Sequence, residues 1–115
     1  MNNVDLRRAD ARRADLREVD LSRADLREAD LTEATLTAAY LTEADLSDAD
    51  LINADLSHAE LSDADLTIAL FEGARGIEEA NFFQTTLTDT VLEDYTVDGK
   101  KLNEIDRTED PDWRT

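Results

Sequence analysis

The chain has 115 residues, a formal net charge of −17 and 41% hydrophobic content, which is ample for the core of one domain, but only 5% aromatic residues. Such an interior must be filled by small and medium aliphatic groups, and so acidic a chain excludes direct nucleic-acid binding, which needs a Lys/Arg footprint on the phosphates. The absence of cysteine excludes a disulfide framework, a thiolate metal site and a thiol nucleophile.

The first residues, Met1 to Arg7, contain no apolar targeting segment, and nowhere do the roughly 18 apolar residues of a membrane span run together, so a cytoplasmic protein with no membrane partner is expected. From Asn3 to Glu72 the chain divides into fives without a gap, beginning NVDLR, RADAR, RADLR, EVDLS and ending DADLT, IALFE. Every unit has Ala or Val second, and every unit has Leu or Phe fourth except the one with Ala11. A helix would rotate by about 140° per step of five and smear these Leu residues around its circumference. A straight strand would flip each successive unit to the opposite face. Within one unit, however, the second and fourth residues are two apart, so both can point inward while the third points out. A short extended piece followed by a bend, repeated, is a solenoid whose coils stack in parallel at about 4.8 Å.

These units resemble the pentapeptide-repeat family, whose A-(D/N)-L-x-x signature appears almost verbatim over residues 3–72. The resemblance implies an all-β fold, a right-handed quadrilateral parallel β-helix in which four units make one square coil and residues twenty apart lie above one another. It predicts a solenoid of about 4.5 coils over residues 3–93 and a short C-terminal cap and tail over 94–115. Leu26, Leu46 and Leu66 are then expected in one vertical pile, and Leu31, Leu51 and Phe71 in another.

Further along the chain the register slips. Ile77, Phe82, Leu87, Leu92 and Val97 resume the spacing of five one residue late, which predicts a β-bulge near 75–76 with Gly76 absorbing the unusual backbone angles. Beyond Asp94, Asp98-Gly99 reads as a turn, Lys100 to Asp106 as a short helix and Pro111 to Thr115 as a tail, with Ile105 and Trp113 candidates to cover the last coil. No comparable cap precedes the first repeat, so the uncapped N-terminal coil is expected to self-associate or meet a partner.

With twenty residues per coil, Asp5, Asp25, Asp45 and Asp65 fall in one outward column, and Asp10, Asp30 and Asp50 in another. Stacked carboxylates repel, and one monodentate carboxylate per level is a poor cation site, so no metal is expected. Residues 1–27 hold seven Arg and six acids, whereas residues 28–74 hold twelve acids and no Lys or Arg. Arg8 and Glu28, Arg13 and Glu33, and Arg23 and Glu43 are placed to pair between coils. Asp30, Asp45, Asp50, Asp55 and Asp65 form the candidate acidic face.

Ile52, Leu70 and Val91 are outward apolar residues of one face, with Ile68 at the adjoining corner. They form the candidate interface, to be covered by the C-terminal tail, a second copy or a partner, or to be exposed incidentally. Tyr40 and Phe83 mark a smaller patch on another face. The single histidine, His58, is outward and expected to be solvated. No catalytic constellation, phosphate-cradling Gly loop or ligand spacing occurs, so neither an enzyme nor a cofactor is expected. The reading that follows is a structural or interaction module for a protein partner, with bacterial and above all cyanobacterial relatives implied by the resemblance. The alternative, which the resemblance also implies, is a DNA mimic that occupies gyrase or another DNA-binding protein.

Overall fold

The computed structural model describes residues 3–88, together with the backbone of Thr96–Val97 and Lys100–Lys101. Within residues 3–72 each unit closes its own bend. The N–H of the inward Ala donates to the carbonyl of the Leu three residues before it, as from Ala9 to Leu6 (3.1 Å), Ala29 to Leu26 (3.0 Å) and Ala49 to Leu46 (3.0 Å). The residue before that Ala is left-handed, with φ of 59° at Arg8, 62° at Glu28 and 62° at Asp48. Positive φ at the third of four residues is the requirement of a type II turn, and it carries a cost for any residue with a Cβ.

What offsets that recurring cost is a ladder to the next coil. Asp25 N–H donates down to Val4 C=O (2.9 Å), Asp25 C=O accepts from Leu6 N–H (2.8 Å), and Arg27 C=O accepts from Arg8 N–H (2.9 Å). The same pattern links the levels throughout, so parallel bridges run in four columns: Asp5 to Asp25, Asp45, Asp65 and Thr86; Asp10 to Asp30, Asp50 and Leu70; Asp15 to Thr35, Asp55 and Arg75; Asp20 to Tyr40, Glu60 and Asn81. Four columns around one axis make a quadrilateral parallel β-helix.

The axis is filled as the period of five requires. Leu26, Leu46 and Leu66 are buried in one pile, as are Leu31, Leu51 and Phe71 in the neighbouring one, with Ala24, Ala44 and Ala64 between the large groups. Val4, Leu6, Ala11, Leu16 and Val19, in the first coil, are only partly buried against this core.

The register change falls between Arg75 and Asn81, where the bridge offset goes from twenty (Asp55 to Arg75) to twenty-one (Glu60 to Asn81). The expected β-bulge is not what absorbs the extra residue. Ile77–Glu79 form a single 3-10 turn at the corner, preceded by Gly76 at φ 77°. A bulge would leave a residue unpaired inside the ladder. The turn instead sends the N–H groups of Glu79 (3.0 Å) and Ala80 (3.1 Å) back to Gly76 C=O, so the bridges Asp55–Arg75 and Glu60–Asn81 stand on either side, the corner rung from His58 N–H is lost, and Ile77 stays in the core. Gly76 is required twice over, since a Cβ there would meet the backbone nitrogen and hydroxyl of Ser57.

Past the described coils, β1 (Thr96–Val97) pairs antiparallel with β2 (Lys100–Lys101), Thr96 opposite Lys101 and Val97 opposite Lys100. Lys100 and Lys101 are therefore in a strand, and do not begin the expected helix. Asp-Gly between β-branched and strand-competent residues is a strong two-residue hairpin signal, and it outweighs the weak helical pattern that follows. The remainder of that helix, together with Val91, Ile105 and Trp113, lies outside the described residues.

Replacing Leu46, at the centre of its pile, by Ala is expected to cost about 2–5 kcal/mol, because flanking Leu26 and Leu66 are held by their own ladders and cannot collapse into the space. Chemical denaturation monitored by far-ultraviolet circular dichroism measures this loss.

Candidate functional site

In a unit with a coil on either side, the ladder and the bend account for four of the five backbone N–H groups, the unit of His58 excepted. The fifth, on the residue after the Leu, finds no backbone acceptor, and where an Asp stands two residues before it the carboxylate supplies one. Asp Oδ1 accepts from the N–H of Thr32 (Asp30, 3.1 Å), Ser47 (Asp45, 3.0 Å), Ile52 (Asp50, 3.0 Å), Ser57 (Asp55, 3.0 Å) and Thr67 (Asp65, 3.0 Å). Four of these carboxylates take a second bond, from the hydroxyls of Thr32, Ser47 and Thr67 at 2.6 Å and of Ser57 at 2.7 Å. This is the Asx turn, in which a short polar side chain serves its own backbone two residues on. The five candidate acidic-face residues are thus turn acceptors. Asp30 and Asp50 share one column, Asp45 and Asp65 a second, and Asp55 stands in a third, so they occupy three sides of the rod and form no single face.

At four units of the first two coils the residue two after the Asp is Arg, and its guanidinium closes a two-pronged grip on that Asp. Arg7 donates from Nε (2.9 Å) and Nη2 (2.8 Å) to the two oxygens of Asp5, while its Nε also lies 3.7 Å from Asp25 one level up. Arg12 repeats this with Asp10 (2.9 Å on both prongs) and Asp30 (3.8 Å), and Arg27 with Asp25 (2.8 and 2.6 Å) and Asp45 (3.9 Å). Arg17 grips Asp15 at 2.8 and 2.6 Å. These forks are missing from the sequence reading, although their signal is present in the A-D-L-R units. The three inter-coil pairs expected from the column register are present, Arg8 with Glu28 at 3.6 Å and Arg13 with Glu33 and Arg23 with Glu43 at 3.5 Å. All are exposed and individually weak.

The side-chain bond from Arg7, followed by its backbone N–H, holds the Asp5 carboxyl down at about 2, against an ordinary value near 3.8. Arg12 does the same for Asp10 and Arg17 for Asp15, each also to about 2. Asp20 and Asp55 are lowered by the side-chain bonds of Ser22 and Ser57, and Asp25 by that of Arg27. His58, expected in solvent, remains well exposed but its Nε2 lies 3.1 Å from a Glu79 oxygen in the 3-10 turn.

Among the described residues the exposed large apolar side chains are Tyr40 (50%), Ile68 (48%) and Leu70 (44%). Leu70 stands at the top of the column of Asp10, Asp30 and Asp50, and Ile68 occupies the left-handed corner just before it at φ 62°. Ile52, half-buried, flanks the pair on the same side, its carbonyl accepting from Glu33 N–H (2.9 Å) and the next residue, Asn53, donating to Glu72 C=O (2.9 Å). The fourth candidate interface residue, Val91, is outside the described residues. Tyr40 is in the column with Glu60, on the opposite side of the square from Leu70, and Phe83 is only partly exposed. No group of His, Asp or Glu that could hold a metal occurs among the described residues, and no helix there is long and apolar enough to cross a membrane.

A square solenoid built of five-residue units, each with an inward apolar pair and most with an Asx-closed bend, defines a class of repeat protein. The family model for pentapeptide repeats matches in 8 copies over residues 1–37 and 29–67, and the chain belongs to the pentapeptide-repeat family, with its right-handed quadrilateral β-helix. It is similar to a pentapeptide repeat protein of the Arabidopsis thaliana thylakoid lumen, at 34% identity and a TM-score of 0.63 over 81% of this chain and 68% of that one. It is also similar to the pentapeptide repeat protein Rfr23 of the cyanobacterium Cyanothece 51142, at 34% identity and a TM-score of 0.55 over 67% of this chain and 58% of that one. No curated protein matches the chain.

Two outcomes separate the roles of the carboxylates. Asp65→Asn, which keeps the oxygen that Thr67 N–H needs and removes a charge from the column, is expected to leave stability unchanged or raised, whereas Asp65→Ala loses about 1 kcal/mol in urea denaturation. For Asp5, Asp10 and Asp15 the folded chain binds fewer protons than the unfolded chain between about pH 4 and 2. Their contribution is present above the unfolded value and disappears as pH falls through the folded one. The thermal midpoint should therefore drop across that window, and drop less steeply in an Arg7→Gln, Arg12→Gln, Arg17→Gln variant.

Proposed function

We propose that the chain is a non-enzymatic interaction module whose rod presents one apolar patch, set among acidic sides, to a protein partner. The observation that carries this reading is the pair Ile68 and Leu70, adjoining and each almost half exposed, on a surface whose outward positions are otherwise nearly all polar. The titratable groups support it too. The Asp carboxylates close the bends and the arginines of the first coil grip those carboxylates, which occupies as structure the groups that general acid or base chemistry would draw on.

Dispersal of the carboxylates over three sides, each tied to its own backbone, favours a protein partner over imitation of DNA, whose phosphates form two continuous rows. Such a module acts by geometry. Its sides are flat, rigid on the scale of a side chain, and repeat at the spacing of the ladder.

Affinity capture from cell extract, with the full chain as bait, tests the reading. The wild-type chain is expected to retain at least one protein that an Ile52→Asp, Leu70→Asp variant does not. Recovery of identical protein sets by both baits would remove the patch as the binding surface.

A further inference from the structure

We infer that the Ile68–Leu70 patch receives an apolar protein segment flanked by Lys or Arg side chains; this rests on the interaction reading above and adds the chemistry of the partner. The starting point is that both residues break local rules that their own columns keep. Below Leu70, the carboxylates of Asp10, Asp30 and Asp50 accept from the N–H groups of Arg12, Thr32 and Ile52 at 3.3, 3.1 and 3.0 Å. A Leu side chain has no acceptor to offer the N–H of Glu72. Below Ile68, the left-handed corner is occupied by Arg8, Glu28 and Asp48. A β-branched residue at φ 62° is a genuine outlier, because its second Cβ substituent crowds the backbone.

Each choice weakens the fold locally, and neither is repaid by burial, since Ile68 and Leu70 are 48% and 44% exposed. Tyr40 also lacks the acceptor, but its corner residue is Ala38 (φ 58°), which has no branch at Cβ. Among the described residues, a β-branched left-handed corner adjoins a missing acceptor at 68–70 alone, and together they put two branched aliphatic groups into water at one place. Local conflict that leaves stability lower and apolar surface exposed is the expected signature of a surface kept for binding.

Charge then selects the occupant. Asp48 lies one level below Ile68, its N–H bonded to Thr67 C=O (2.9 Å); Asp50 is bridged to Leu70; Glu72 follows two residues on. Residues 28–74 contain no Lys or Arg to balance them. A second copy docked through the same face would bring these acids against their own images, which is repulsive. A segment that sets an aliphatic or aromatic side chain over Ile68 and Leu70, with Ile52 at its border, and reaches Asp48, Asp50 and Glu72 with basic groups satisfies both the apolar centre and the acidic rim.

The test uses the full chain and two labelled synthetic peptides, one of alternating Leu and Lys and one of alternating Ser and Lys, with binding followed by fluorescence anisotropy at physiological salt. The variant is Ile68→Asn, Leu70→Asn. Asn adds no charge, sits at a left-handed corner elsewhere in the rod as Asn53 (φ 60°), and closes a bend as Asn81, whose Oδ1 accepts from Phe83 N–H (3.0 Å). The double variant is therefore expected to melt at or above the wild-type midpoint, to bind the Leu/Lys peptide at least about tenfold more weakly than the wild type, and to bind the Ser/Lys peptide as weakly as the wild type does.

A lower midpoint would remove the local conflict and the proposal with it. Equal binding of the two peptides, or indifference to the substitutions, would also overturn it; the latter is what a patch already covered by the chain's own tail would give. So would a wild-type dimer in sedimentation that the double variant breaks, since the occupant would then be a second copy. If capture depends on the patch while the Leu/Lys peptide does not bind, the basic-flanked chemistry falls and the interaction reading stands. If capture does not depend on the patch, the reading itself falls.

Discussion

A chain that bends every five residues leaves one backbone N–H per unit without a partner, and the way that donor is satisfied organises much of this molecule. A buried or half-buried amide left open costs about 1–3 kcal/mol, and the cost recurs with every unit. Asp two residues earlier answers it through an Asx turn, which places a carboxylate at the centre of most outward sides. Ten aspartates among the described residues make this bond, about a third of the 29 acidic residues, so that share of the acidity is the surface expression of a backbone requirement.

The requirement has an electrostatic consequence. Carboxylates in one column are separated by one level of the ladder, near 4.8 Å, and repel. The first coils answer with arginines that grip one Asp on two prongs and lean toward the Asp above, as Arg7 does with Asp5 and Asp25. From Leu31 upward the same position carries mostly Thr or Ser, whose hydroxyls bond the carboxylate without neutralising it. The rod is thus locally balanced at one end and acidic in its middle, and the change in composition after residue 27 has two sources: Arg7, Arg12, Arg17 and Arg27 stand two residues after an Asp, while Arg8, Arg13 and Arg23 occupy left-handed corners and pair with Glu one level up.

The fold was legible because its cause is periodic. Ala and Leu two apart in a period of five admit neither a helix nor a straight strand, and the piles of Leu26, Leu46 and Leu66 follow at once. The inter-coil pairs of Arg8, Arg13 and Arg23 were legible for the same reason, once twenty residues made one level. What was not legible depends on geometry inside the unit. Outward Asp reads as solvated until the orphan N–H beside it is known, and the Arg forks stay hidden until the bend brings positions two apart onto one side. At Ile77–Glu79 the register slip shows only that one residue is extra; whether the ladder or the corner takes it depends on the carbonyls within reach of Glu79 and Ala80. Of the candidate interface, Ile68 and Leu70 stand together as their columns require, while the five acidic-face residues are spread over three sides.

That separation between what the backbone demands and what it merely tolerates is also what gives the apolar patch its meaning. In an irregular protein an exposed Leu or Ile is ordinary and explains nothing. In a repeat whose every position has a local job, each residue can be compared with those directly beneath it, which share its backbone angles and its hydrogen-bond duties. Against that internal standard Asp48 and Ile68 differ in side chain alone, as do Asp50 and Leu70. A column of identical backbones thus works as a built-in series of substitutions, and the residues that depart from it at a local cost are the ones whose selection has to be sought outside the coil.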